Sequence, residues 1–141
     1  MKKRVDRHDV IREIVRTERV KTQRSLVEHL KKRGFDVTQA TISRDITEMG
    51  LRKLPEGIYA LAEDLYLQRM VSDLVTDVRR TGNLVLIKAS PGTGPGVAAA
   101  LDAADLPGVL GSIAGDDTIL VIGNDEKEAE DFEAAIGKLR P

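Results

Sequence analysis

Val37-Thr38-Gln39-Ala40-Thr41-Ile42-Ser43-Arg44-Asp45-Ile46-Thr47-Glu48-Met49-Gly50 carries a start, a periodic body and a stop for one helix. Thr38 is a capping residue type, able to accept a hydrogen bond from an amide in the first turn. Ile42, Ile46 and Met49 recur at i, i+4 and i+7, and Gly50 suits the positive φ on which helices commonly end. Stepping about 100° per residue from Gln39 puts Ile42, Ile46 and Met49 between about 280° and 340°, and Thr47, Ala40 and Arg44 between about 80° and 140°. One face suits a core; the other is short, polar and carries a guanidinium.

Working outward, Thr22 can cap a preceding helix that buries Leu26, Val27 and Leu30 and stops at Gly34. Before it, a first helix is expected from Asp6 as N-cap, with Val10, Ile11, Ile14 and Val15 on one face, fading near Thr17. After Gly50, the runs Leu51 to Leu54 and Ile58 to Leu61 flank Pro55-Glu56-Gly57, a three-residue hairpin loop. Three helices with a short connection between the second and third, then a hairpin, is the layout of a winged helix-turn-helix, whose recognition helix enters the DNA major groove. On the outer face of that helix Arg44 can bond guanine bidentately and Ala40 can meet a thymine methyl. Ser43, Gln39, Thr38 and Thr41 can reach phosphates or base edges, and Lys53 of the wing can reach the backbone. The competing reading is an ordinary solvated face on which Arg44 pairs with Glu48 at i+4.

Charge divides the chain at the same place. Residues 1–61 hold 15 Lys and Arg against 9 Asp and Glu, a net of +6, whereas residues 62–141 hold 7 against 14, a net of −7. The first half suits a polyanion and the second a cation. In 141 residues, 41% hydrophobic and 32% charged, no apolar run approaches the length of a membrane span, and the basic N-terminus leads into no signal-like stretch. With no Cys, neither disulfides nor thiolate metal sites arise, and a cytoplasmic location is expected.

Residues 62–64 read as a short hinge between a domain over 1–61 and another over 65–141. In the latter, Leu67, Met70, Val71, Leu74, Val75 and Val78 mark an amphipathic helix, and Leu84 to Ala89 a strand. A turn over Ser90 to Gly96 leads to a helix from Val97 to Ala104, then to strands Val109–Ala114 and Thr118–Ile122. A last helix carries Ala129, Phe132, Ile136 and Leu139. The tight Gly115-Asp116-Asp117 turn makes the last two strands antiparallel. The fold class is therefore α+β in two domains: a winged helix-turn-helix, then an α/β domain with an antiparallel sheet.

Two features of this half carry chemistry. Gly92-Thr93-Gly94-Pro95-Gly96 sits where phosphate loops sit, but no Gly-Lys-Ser/Thr follows and a net of −7 opposes a phosphate, so it reads as a turn or close backbone approach rather than a nucleotide site. Asp116 and Asp117 are adjacent in a turn and ask for a cation or hydrogen bonds if covered. A metal lacks a His or Glu nearby, a catalytic pair lacks a nucleophile, and a solvated turn remains open.

The string Val37 to Asp45, with Thr22-Gln23 opening the preceding helix, resembles the arginine repressor family; so do Gly111-Ser112-Ile113-Ala114-Gly115-Asp116-Asp117-Thr118-Ile119 and Ser90-Pro91-Gly92 through Leu101-Asp102. The resemblance implies a non-enzymatic, arginine-dependent DNA-binding transcriptional repressor of arginine biosynthesis genes, with activation of arginine catabolism as a further role, and makes the second domain an α/β oligomerisation and ligand-binding domain. By it, Ser43 and Arg44 are principal operator contacts, and trimers stacked into a hexamer bind L-arginine between them through Asp116, Asp117 and Asp102, with Ser112, Ala114 and Gly94 at the pocket. The implied partners are double-stranded DNA, L-arginine as corepressor and further copies of the chain, with no other cofactor, no metal and no membrane. Many members carry Ala-Gln in place of Gly94-Pro95 and Thr in place of Ser112. Two other functions on this sequence are an accessory DNA-architectural regulator and a nucleotide-binding protein built on the glycine turn.

Overall fold

The computed structural model describes residues 4–141, which form two compact units, the first extending to Ala62 and the second running from Glu63 to Pro141. The first unit consists of helices α1 (Arg4–Thr17), α2 (Gln23–Lys32) and α3 (Gln39–Glu48) and a two-stranded hairpin, β1 (Leu51–Lys53) and β2 (Tyr59–Leu61). Asp6, expected as a cap, lies inside α1, because the helix is already formed at Arg4. The other two caps form as their chemistry dictates: the Ser25 amide donates to Thr22 Oγ1 at 3.0 Å and the Thr41 amide to Thr38 Oγ1 at 3.2 Å. Ile11 and Ile14 of α1, Leu26 and Leu30 of α2, Ile42 of α3, and Leu51 and Leu61 of the hairpin close one core. Val20, between α1 and α2, joins it and accepts a hydrogen bond on its carbonyl from the Tyr59 amide at 2.9 Å, tying the wing's second strand to the helices. In the wing loop Gly57 takes φ 87°, a conformation other side chains resist.

The second unit is a four-stranded antiparallel sheet, order β3-β4-β6-β5, with helices α4 (Ala62–Leu74), α5 (Gly94–Ala104) and α6 (Glu126–Leu139) contributing to a single core. Its strands are β3 (Val75–Thr81), β4 (Leu84–Ala89), β5 (Val109–Ala114) and β6 (Thr118–Gly123). Residues 62–64, expected as a hinge, are the first turn of α4. The helix expected to continue through Val78 ends at Leu74, and Val75 and Val78 belong to β3. Valines three apart fit a helix stripe, but Val-Thr-Asp-Val-Arg-Arg-Thr is rich in β-branched residues and pairs with β4 from Val75↔Ala89 to Thr81↔Leu84. Helix α5 also starts earlier than expected, at Gly94, because Pro95 suits a first helical turn.

Alternation sorts the sheet. Val85, Ile87 and Ala89 of β4 and Ile119 and Val121 of β6 are buried with Val97, Leu101, Phe132 and Ile136 of the helices. The opposite face shows Leu84, Leu86, Leu120, Ile122 and Ile113, each at least partly exposed, and the register sets Ile113, Leu120 and Leu86 in one row across three strands. Ile113, on the edge strand β5 at the end of that row, is 68% exposed, a large apolar side chain left open.

Candidate functional site

Helix α3 presents the surface that its periodicity dictates. Ile42 is buried, Ile46 and Met49 pack on the same core, and Gln39, Ala40, Ser43, Arg44 and Thr47 are exposed. Thr38 is spent on the cap, with Thr41 Oγ1 3.1 Å from its hydroxyl, so these two hydroxyls stand together at the helix start. Glu48 approaches His8 Nε2 at 3.9 Å, and among the described residues no ion pair engages Arg44. Lys53 is exposed on β1, its ammonium 5.4 Å from the centre of the Tyr59 ring.

Asp45 escaped the sequence reading. It is 1% exposed, and both of its oxygens are engaged by α1: Arg7 Nε donates to Oδ2 at 2.6 Å and Nη2 to Oδ1 at 3.0 Å, while His8 Nε2 lies 2.9 Å from Oδ1. Burial works against its charge, but the hydrogen bonds from Arg7 and His8 and their positive charge outweigh it, and the carboxyl is held below the usual carboxylate range. In return, the hydrogen bond to Asp45 raises the Arg7 guanidinium above its ordinary value. A clue was present, since stepping about 100° per residue puts Asp45 near 240°, beside the core stripe. Its partners, 37 and 38 positions away, could not be read from the pattern.

In the second unit the aspartate turn docks on the start of α5. The Gly94 amide donates to the Asp116 carbonyl at 2.8 Å, the Gly92 amide to the Asp116 carboxylate at 3.1 Å, and the Ala89 amide to the Asp117 carbonyl at 2.8 Å. Gly94 is buried, and a Cβ on it would overlap the Gly115 carbonyl oxygen, so the glycine-rich segment serves a close backbone approach here. The two carboxylates have different surroundings. Asp116 is exposed, while Asp117 Oδ1 accepts from the Thr118 hydroxyl at 2.8 Å and faces the Lys88 ammonium at 3.6 Å. The Thr118 hydrogen bond and the Lys88 charge hold the half-exposed Asp117 carboxyl below its ordinary value. Lys88 was also missed: only the register Lys88↔Thr118 between β4 and β6 brings it to the turn.

The remaining residues expected at the ligand site stand elsewhere. Asp102 follows Gly94 by eight positions, about 12 Å of helix. It is exposed and, with Ser112, lines a pocket of about 160 Å³ bounded by Leu101, Leu106, Val109 and Phe132. Ala114 is exposed at the end of β5. The expected residues therefore fall in two groups: Asp116, Asp117 and Gly94 at the start of α5, and Asp102 and Ser112 around the pocket near its end. Among the described residues, no helix is long and apolar enough to cross a membrane.

Two family descriptions divide the sequence between them: "Arginine repressor, DNA binding domain" over residues 1–66 and "Arginine repressor, C-terminal domain" over residues 71–138. An arginine repressor of Carboxydothermus hydrogenoformans is 43% identical over 136 aligned positions, covering 89% of this chain and 91% of its own. That of Thermus thermophilus is 42% identical, covering 94% and 88%, and that of Staphylococcus carnosus 42%, covering 99% of both. With both family domains present in order, and with relatives alike over most of its length, the chain belongs to the arginine repressor family.

Proposed function

We propose that this DNA-binding, arginine-responsive transcriptional repressor reads its operator with α3 and binds L-arginine where the aspartate turn of one subunit meets another subunit. The observation that carries the reading is the outer face of α3, where Arg44 is exposed opposite the core and takes no ion pair among the described residues. Arg44 contacts a guanine edge, Ser43, Gln39, Thr38 and Thr41 contact phosphates or base edges, Ala40 meets a thymine methyl, and Lys53 reaches the backbone from the wing. The net of +6 over residues 1–61 supports a polyanionic partner, and the genes under control are those of arginine synthesis in the bacterial cytoplasm.

Asp116 and Asp117 receive the cationic ligand, and the planar guanidinium forks onto carboxylate oxygens. Asp102 lies about 12 Å along α5 from Gly94, too far for one guanidinium to reach both it and the aspartate turn of the same chain, which supports a ligand shared between subunits. The apolar row of Ile113, Leu120 and Leu86 supports self-association, and the resemblance makes the assembly a trimer that pairs into a hexamer. Arginine then neutralises carboxylates that stacking would otherwise set against one another, and the hexamer engages paired half-sites. Linkage makes the effect reciprocal: DNA raises arginine affinity by the factor by which arginine raises DNA affinity, typically about 5- to 150-fold.

Sedimentation of the protein alone, with arginine and with an operator fragment tests this. A rise in mass on adding arginine, and tighter DNA binding in step with it, is the expected result. Calorimetry on Asp117→Ala showing undiminished arginine uptake would remove the pocket assignment.

A further inference from the structure

Asp45 is the one buried charged side chain among the described residues, and it sits on the recognition helix directly after Ser43 and Arg44. A buried carboxylate costs stability unless its charge is met and its lone pairs are filled, and replacement by an apolar residue is commonly the more stable choice. Here every contact that meets it comes from α1. The Arg7 guanidinium is a rigid planar fork whose two bonds to Asp45 fix an orientation as well as a distance, and Arg7 and His8 are themselves largely covered, at 13% and 20% side-chain exposure.

Apolar contacts of Ile42 and its neighbours resist separation of α3 from the core, but they resist rotation about its own axis weakly. A fork to a carboxylate resists rotation directly. A side chain reaching about 6 Å from a helix axis moves roughly 2 Å for 20° of turn, enough to break a hydrogen bond to a base edge. Because Arg44 and Asp45 are adjacent in sequence, fixing the direction of one fixes the direction of the other. His8, Asp45 and Glu48 also place three metal-ligand atoms within 4.8 Å of one another, but both Asp45 oxygens are already held by Arg7, so a cation would have to displace a guanidinium to enter.

We propose that Arg7 and Asp45, with His8, are positioning residues for operator recognition: a clamp between α1 and α3 that sets the rotation at which Arg44 and Ser43 meet the bases. The inference rests on α3 being the recognition helix.

The test uses the full chain with saturating arginine, an operator fragment selected by the wild-type protein from random DNA, and an unrelated fragment of equal length. Anisotropy is measured across a salt series for Arg7→Lys, Asp45→Asn, the double variant and Arg44→Ala, all at a temperature where circular dichroism shows each folded. Arg7→Lys, which keeps the charge and loses the fork, is expected to weaken operator binding at least tenfold while leaving affinity for unrelated DNA and the salt slope unchanged. The double variant is expected to be no worse than the poorer single one. Should Asp45→Asn fail to fold, Arg7→Lys alone decides.

Equal losses on both DNAs with a salt slope smaller by about one would make Arg7 a phosphate contact and overturn the clamp. Unchanged discrimination in a folded Arg7→Lys protein would also overturn it, leaving Asp45 a stabilising residue only. Arg44→Ala separates the two readings: if that variant keeps operator affinity, the recognition-helix assignment itself falls, whereas its loss beside an unaffected Arg7→Lys removes the clamp alone.

Discussion

Lys88 and Asp117 stand 3.6 Å apart, ammonium nitrogen to carboxylate oxygen, with the Thr118 hydroxyl bonded to both. The carboxylate proposed to receive arginine thus already has a cation of its own chain beside it. An arriving guanidinium must share Asp117 with Lys88 or push it aside. Replacing Lys88 by Met keeps the stem and removes the competing charge, so arginine affinity is expected to rise. Both groups are well exposed, which limits the gain to that of a surface pair, about two- to fivefold. Isothermal titration measures it, and weaker binding in Lys88→Met would show instead that Lys88 holds Asp117 in its binding orientation.

Arg44→Ala removes a guanidinium that takes no ion pair among the described residues, so it costs the fold little. A bidentate contact to guanine gives about 1–3 kcal/mol of discrimination, so operator affinity is expected to fall by about 5- to 150-fold. Arginine binding should be unchanged, because Arg44 lies in the first unit and the aspartate turn in the second. Electrophoretic mobility shift beside calorimetry checks both halves, and operator affinity within a factor of two of wild type refutes the role.

Where local chemistry settles the outcome, the sequence was legible. Thr22 and Thr38 cap their helices because a hydroxyl before an apolar period has little else to do, and the Gly115-Asp116-Asp117 turn forces β5 and β6 antiparallel. Misreadings arose where two periods overlap or where a partner is distant. Val71, Leu74, Val75 and Val78 satisfy a helix stripe, yet the chain turns from helix to strand between Leu74 and Val75, since β3 gains a full ladder with β4. The exposed face of α3 could be drawn from residue spacing alone. Asp45 on its buried side needed Arg7, and Asp117 needed Lys88, and both pairings exist only once the chain is folded.

Ile113→Glu tests the apolar row. The side chain is 68% exposed in the single chain, so the substitution should change the stability of an isolated subunit by no more than about 0.5 kcal/mol. A carboxylate facing Leu120 and Leu86 across an interface would instead be buried without a partner, and association is expected to fail. Sedimentation should show the smaller species at concentrations where wild type is assembled, with an unaltered far-ultraviolet spectrum. Assembly as before would show that subunits meet through another surface.

The last prediction follows from the sign of the Asp45 shift. Arg7 and His8 hold the folded carboxyl below the usual range despite its burial, so the unfolded chain takes up this proton at higher pH than the folded one does. The contribution is then complete above the unfolded aspartate value of about 4 and fades as pH falls through the folded value. Asp45→Asn removes the group that titrates and strands a guanidinium with 13% exposure, which costs on the order of 3 kcal/mol at neutral pH. Urea unfolding at pH 7, 5, 4 and 3, read by hydrogen exchange of the α3 amides, is expected to show the wild type losing its advantage over the variant as the pH drops below about 4. An advantage that stays constant down to pH 3 would mean that the Asp45 charge adds nothing to holding α3 against α1.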